Sequence, residues 1–331
     1  MNTAPLSLAP FVRGWNRFFH DPTDVRICGI LRIGYAVVLL ANVLVWAPDL
    51  ERWFAGDGVL PMSASRFLVD PESRTLFEWL PPTPGAVWAC YGLLVLQVLL
   101  LGLGVLPRFQ AAGIFFWLIT FQHRNMLLWD GQDSLFRLFA FFLIFLPSDR
   151  FLSIDAWRRR RAGLPAKPTV APAFALRFFQ IQMTVMYFAA GWEKLSGTDW
   201  LGGEALYYVA RLDDFFGHYP APEFLFAYMP LVRWATWAIL FGELALPLSL
   251  WFRETRLTAV LLAFLFHLGL EWTMNLFLFP WIAMVGLLSF LEPGDAATLR
   301  RALGLDRRQP APPPVPSPDS LTSEGGFPTG S

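Results

Sequence analysis

The sequence predicts an all-α protein, a polytopic membrane helix bundle of about eight transmembrane helices with two longer extracytoplasmic segments. Three observations predict it. Of 331 residues, 55% are hydrophobic and 16% charged, with a mean hydropathy of +0.44, a balance outside the range of soluble globular domains. Apolar runs recur between polar breaks, several near the ~20 residues that a perpendicular span needs. Basic residues fall unevenly between alternate breaks, as the positive-inside rule requires.

The elements follow in order. Residues 1–25 read as an amphipathic interfacial segment (FVRGWNRFFH within it). They lack a continuous apolar core and a small-residue cleavage site, so no cleavable signal peptide is expected. Residues 26–293 form the transmembrane domain. Its spans are expected at 27–46, 85–106, 109–122, 134–146, 174–192, 228–252, 257–272 and 276–291. The third and fourth are short. Continuing the third through Met126 to Trp129, or burying the ends in protein, makes up the length. Asp133 stands one turn before Arg137, a spacing that suits an i,i+4 ion pair. The polar stretch 47–84 is expected as an ordered cap with short helices, since long bare loops are uncommon. A second polar stretch covers 193–222, and a basic one, with Arg158 to Arg161 and Lys167, covers 147–172. Residues 294–331 read as a short helix followed by a Pro-rich disordered cytoplasmic tail.

Orientation follows from the arginines and lysines. With the N-terminus in the cytoplasm, the inner segments collect sixteen basic residues. These are Arg13, Arg17, Arg26, Arg108, Arg150, Arg158 to Arg161, Lys167, Arg253, Arg256, Arg300, Arg301, Arg307 and Arg308. The outer segments collect six: Arg52, Arg66, Arg74, Arg124, Lys194 and Arg211. Both termini are therefore expected in the cytoplasm, and the compact chain suits a bacterial cytoplasmic membrane. Membrane lipid is one expected partner. The net charge of zero points to no nucleic-acid partner. Cys28 and Cys90 form no CxxC spacing, so neither a disulfide framework nor a metal site is expected.

The richest stretch is YFAAGWEKLSGTDWLGGEAL, from Tyr187 to Leu206. Gln180, Thr184, Tyr187, Gly191 and Lys194 follow at spacings of four, three, four and three, which is one stripe of a helix. Glu193 adjoins the lysine. A lysine at a span end most simply snorkels to the headgroups, and Glu193 most simply is a solvated charge. Ionisable groups at membrane depth otherwise mark functional sites. His267, Glu271 and Asn275 share one face of the seventh span at i, i+4 and i+8. A lone helical histidine is most often a packing residue. Glu243 lies in the middle of the sixth span, and the third–fourth connection contributes Arg124, Asn125 and Gln132. Lys194, the His267 face and the third–fourth connection converge on the predicted outer half, in an apolar shell. The Arg158 to Arg161 run reads most simply as a topology signal and a contact to anionic lipid.

The same stretch resembles the signature of the horizontally transferred transmembrane (HTTM) domain family, whose pattern is G-x-x-K-L, a polar turn, D-W and a small-residue step. HRN with WDGQDSLFRL, LPSDRFLSIDAW, IQMTVMYFAAG and FHLGLEWTMN fit in order. The best-known member is the vitamin K-dependent γ-glutamyl carboxylase. The resemblance implies a membrane-embedded site in which Lys194 is the base that deprotonates reduced vitamin K or menaquinol. His267 would bind the quinone oxygen or position a reactant, supported by Glu193, Tyr187, Arg124, Asn125, Gln132, Glu243, Glu271 and Asn275. Desolvation favours the neutral amine that such a base needs. Two departures stand out. Gly131 and Gln132 occupy the positions of an Asn-His pair in the carboxylase, and Glu193 stands where it has a lysine. The chain also ends in the Pro-rich tail instead of the carboxylase's extracytoplasmic substrate-holding region, so no propeptide binding is expected. Two non-catalytic alternatives are a membrane partner or maturation factor for an exported protein or peptide, and a transporter. The lack of inverted repeats argues against the transporter.

Overall fold

The computed structural model describes residues 8–68, 74–81, 83–212, 223–303 and 305. It comprises two units, Met1–Glu292 and Pro293–Ser331. In the second, α16 (Pro293–Ala302) is the described helix, and the predicted tail lies outside the described residues.

The first unit is helical. α1 (Ala9–His20) precedes α2 (Arg26–Trp46). The short helices α3 (Leu50–Phe54) and α4 (Met62–Leu68) and a 3-10 turn at Leu76–Glu78 fill the first long polar stretch. α5 (Pro84–Leu103), α6 (Pro107–Arg124) and α7 (Gly131–Leu143) follow. α8 (Ile154–Arg161) carries the arginine run. α9 (Phe174–Leu195) leads into α10 (Thr198–Gly202) and α11 (Ala205–Val209). Then come α12 (Glu223–Ala227), α13 (Met229–Ser249), α14 (Arg256–Thr273) and α15 (Phe279–Leu287). Residues 213–222 of the second polar stretch lie outside the described residues. Two three-residue strands, β1 (Pro22–Asp24) and β2 (Val170–Pro172), pair antiparallel. Arg26, hydrogen-bonded to Asp24 beside them, holds that carboxyl below its ordinary pKa.

Helices stand at all eight expected positions, but among the described residues four are long and apolar enough to cross a membrane by themselves. These are α2 with its extension to Phe54, α5, α13 and α14. The others fall short for visible reasons. α6 carries Gln110, Gln122 and Arg124, and α9 carries Arg177, Gln180, Glu193 and Lys194. α7 has 13 residues. The eighth span, expected at 276–291, is shorter than predicted: α15 starts at Phe279 and passes into a 3-10 turn at Leu288–Phe290. Phe277 has φ 50 and Pro280 sits in the first turn, so the helix cannot begin earlier. α15 packs against α2, α7, α9 and α14, and Ile282 to Leu287 are buried. A helix surrounded by protein need not span the lipid.

Lipid faces the outer helices. Ile30, Val37 and Leu44 on α2, and Trp234, Phe241 and Leu248 on α13, are exposed at intervals of seven residues, two turns apart on one face. α1 exposes Phe11, Val12 and Trp15, while its Phe19 ring packs on Phe178 of α9. That is the arrangement of an interfacial helix.

Two fully buried arginines fasten the ends of the bundle. Arg32, near the start of α2, donates to the carbonyls of Ser148 (2.6 Å) and Leu152 (2.5 Å). Arg124, at the end of α6, donates to Phe54 O (3.0 Å), Leu60 O (2.9 Å) and Ala55 O. The expected Asp133–Arg137 ion pair does not form. Asp133 closes a capping box with Asp130 at the start of α7, and the Arg137 guanidinium lies 4.8 Å over the Trp129 ring. Capping uses the carboxylate on orphan backbone N–H groups and leaves the arginine to the π face.

Candidate functional site

The stripe on α9 faces the bundle, and each member meets a different neighbour. Gln180 Nε2 donates to Ser289 O at 2.7 Å. Thr184 Oγ1 accepts from Trp251 Nε1 at 2.9 Å. Tyr187 Oη and His267 Nε2 of α14 are 2.7 Å apart. Gly191 lies against Leu244 of α13, where an added Cβ would come within 2.8 Å of its Cδ2. Only glycine lets α9 and α13 approach this closely. Lys194 Nζ lies 2.6 Å from Glu243 Oε2, also on α13.

α9 runs to Leu195, so Lys194 sits in its last turn, where the helix dipole favours a cation. Its side chain is 22% exposed and that of Glu243 11%. The ammonium also lies 5.2 Å over the Trp200 ring. Carboxylate and π face together replace much of its water.

The rest of the signature stretch lies along α13. Gly203 takes φ 77, a left-handed turn that brings Glu204 to Arg233 (3.2 Å). Trp237 Nε1 donates to Leu201 O at 3.0 Å, and Leu206 N to Thr236 Oγ1 at 3.3 Å. The turn that presents Trp200 to Lys194 is thereby tied to the helix that bears Glu243.

His267 is 1% exposed. The Tyr187, Phe266 and Phe279 rings surround its imidazole. Nε2 is committed to Tyr187, while Nδ1 is buried without a hydrogen-bond partner among the described residues. Whichever tautomer Tyr187 selects, Nδ1 is left as a free donor or a free acceptor. Buried polar atoms are nearly always paired, so such an exception calls for an explanation.

The other predicted residues lie elsewhere. Arg124 and Asn125 hold the 53–60 segment; Asn125 donates to Trp53 O at 2.9 Å and accepts from Leu127 N. Their hydrogen bonds go to backbone and not toward Lys194. Gln132 Oε1 accepts from Leu278 N at 3.1 Å, so it fixes the segment whose Phe279 ring flanks His267. Glu193 is exposed, Glu271 half-buried and Asn275 exposed just past the end of α14. Trp200 and Trp251 were not predicted. Trp200 was within reach of sequence reasoning, because it lies in the D-W step of the signature; Trp251 gave no signal.

The HTTM domain profile matches residues 20–294. The chain belongs to the HTTM family. This HTTM protein is also similar to the uncharacterized protein YitO of Bacillus subtilis, at 25% identity over 217 residues. That match covers 61% of this chain and 62% of YitO, so the chain spans less than two thirds of its relative's length. No solved structure matches it. Among the described residues of this HTTM protein, no group of three or more His, Cys, Asp or Glu side chains is placed to hold a metal ion.

Proposed function

We propose that this HTTM protein is a membrane-embedded acid–base enzyme acting on a lipid-soluble hydroquinone, such as reduced vitamin K or menaquinol, with oxygenation or carboxylation chemistry. One observation carries the reading. Two polar pairs, Lys194–Glu243 and Tyr187–His267, stand on one inward face of α9. Seven residues separate Tyr187 from Lys194, about 10 Å along the helix.

The residues fit a phenolic ligand. His267 Nδ1 offers an uncommitted polar atom among aromatic rings, which is what a hydroxyl on an aromatic ring requires. A bound hydroquinone supplies an acidic O–H and, with oxygen, a ring that can be oxidised. His267 holds one hydroxyl through Nδ1, leaving the para hydroxyl to give up its proton, and Tyr187 fixes the imidazole's tautomer and direction. Lys194 Nζ and Glu243 Oε2 are 2.6 Å apart, a hydrogen-bonding distance. Passing a proton from ammonium to carboxylate leaves a neutral amine, which then takes the substrate's proton; the pair gains one positive charge as the substrate becomes an anion. The arginine asymmetry supports both termini in the cytoplasm, and the compact chain suits a bacterial cytoplasmic membrane; in that orientation Lys194 would stand in the outer half of the membrane.

The test is epoxide formation by the protein in nanodiscs, given reduced vitamin K or menaquinol, oxygen and bicarbonate. Epoxide from the wild type is the expected result. Its absence from well-folded protein overturns the reading. Tyr187→Phe keeps the ring but frees His267 Nε2. The expected loss is on the order of 10–100-fold in turnover, the usual cost of removing a group that orients a functional histidine. An unchanged rate would remove the Tyr187–His267 pair from the mechanism.

One observation favours a second reading, a maturation partner that docks an exported protein or peptide. The 53–60 segment is held rigidly by Arg124 and Asn125, as a docking platform would be. Under that reading Lys194→Ala is silent, and deletions between Trp53 and Trp79 abolish function.

A further inference from the structure

The segment between α7 and α9 is a built structure with a basic cavity. The cavity has a volume of about 280 Å³. Arg150, Arg158, Arg159, Arg160 and Lys167 line it. Two carboxylates also line it, but both are engaged: Asp149 pairs with Lys167, and Asp155 Oδ2 accepts from Leu106 N at 2.8 Å. Five cations against two anions leave an excess of positive charge.

The walls are fixed by backbone contacts. Arg150 donates to Pro168 O (2.8 Å) and Val170 O (3.1 Å), and Arg159 donates to Pro165 O (2.7 Å). Ser153 caps α8 by accepting from Ala156 N at 3.0 Å. Arg32, buried beneath, anchors the same segment through Ser148 and Leu152. Arg158 and Arg160 differ from these. Both are exposed, and neither has a side-chain hydrogen bond or ion pair among the described residues. The rigid frame therefore presents two uncommitted guanidinium forks in the lining of a cavity that already carries positive charge.

What the same segment exposes names the occupant. Leu164, which lines the cavity, is 50% exposed, and Leu152 and Trp157, elsewhere in the 147–172 stretch, are 57% and 49% exposed. A tryptophan and two leucines exposed on an arginine-rich segment form the pattern of a surface lying in the headgroup region, apolar side chains in the acyl boundary and cations at the phosphates. A soluble anion needs no such apolar side chains. We infer that this cavity is a specific site for the phosphate of an anionic phospholipid headgroup, gripped by Arg158 and Arg160 and backed by Arg150, Arg159 and Lys167. Arginine forks match phosphate oxygens bidentately. A located cavity with two gripping residues goes beyond the diffuse attraction of any basic run to an anionic membrane. The inference is independent of the chemistry at Lys194.

Native mass spectrometry of the full-length protein in mild detergent tests it, with phosphatidylglycerol, phosphatidylcholine, oleate or inorganic phosphate added. The wild type should retain phosphatidylglycerol, and the Arg158→Ala/Arg160→Ala variant should lose occupancy on the order of tenfold, the scale of one lost charge-assisted contact. Arg13→Ala/Arg17→Ala removes the same charge from exposed positions on α1 and should retain the lipid fully. Should the alanine variant prove unstable, Arg158→Lys/Arg160→Lys keeps the charge without the forks and should still bind measurably less. Equal retention by the cavity variants overturns the inference, as does oleate bound as firmly as phosphatidylglycerol, which would mean charge without phosphate recognition. Displacement of the lipid by inorganic phosphate would overturn the lipid as occupant and assign the cavity to free phosphate.

Discussion

Lys194→Ala is expected to lower epoxide formation about 10²–10⁴-fold, the usual contribution of a positioned acid–base group, while the protein stays inserted and folded. The substitution removes the amine proposed to accept the proton and leaves Glu243 without its cation at 2.6 Å. A carboxylate abandoned in a poorly solvated place is costly, so the single variant also needs a stability control. Lys194→Ala/Glu243→Ala supplies it: removing both charges should restore thermal stability without restoring activity. Glu243→Gln keeps the amine and removes the ion pair, so its rate should fall less than that of Lys194→Ala. Equal activity in Lys194→Ala and wild type would take the lysine out of the chemistry and favour docking at the 53–60 segment. Turnover and thermal midpoint measured on the same nanodisc preparations separate these outcomes.

The pairing behind that prediction was half legible in the sequence. Helical spacing alone put Gln180, Thr184, Tyr187, Gly191 and Lys194 on one face, and in the structure that face looks inward. Periodicity is a local property, so it survives without tertiary information. Glu243 was visible as an acid in mid-span, but its distance from Lys194 depends on how deeply α9 and α13 interlock at Gly191, and no local pattern encodes that. The same limit explains Arg124 and Gln132. Polar residues at the ends of short spans look alike in sequence whether they meet a ligand or a backbone carbonyl. The length of the eighth span was misread because LFLFPW is uniformly apolar. Hydrophobicity identifies what is buried; it took Phe277 in the left-handed region, with Gln132 accepting from Leu278 N, to define where α15 begins.

Arg124→Leu is expected to be the most destabilising substitution outside the α9 face. The guanidinium is fully buried, and its hydrogen bonds go to backbone carbonyls at and beyond the end of α3. Carbonyls at a helix C-terminus carry partial negative charge and have no intrahelical donor, so a cation satisfies them where a neutral donor satisfies one at a time. Leucine fills part of the volume and leaves the Phe54 and Leu60 carbonyls short of a donor, while that of Ala55 keeps Gly58 N–H. Each orphaned buried acceptor costs about 1–3 kcal/mol, so the loss of both should reach about 2 kcal/mol or more. The failure should begin locally, since Ser65 and Thr75 also bond to backbone carbonyls at or near the end of α6. Limited proteolysis should therefore cut first between Trp53 and Ser65, at temperatures where the transmembrane helices still hold. Arg124→Lys preserves charge but reaches fewer carbonyls than a planar fork and should fall between the two. A thermal midpoint unchanged in Arg124→Leu would show that the segment is held by its apolar contacts, with Leu50, Phe54 and Phe77 packed in the core. Retained turnover in the surviving folded fraction would place Arg124 in the architecture of the 53–60 segment and outside the chemistry proposed for Lys194.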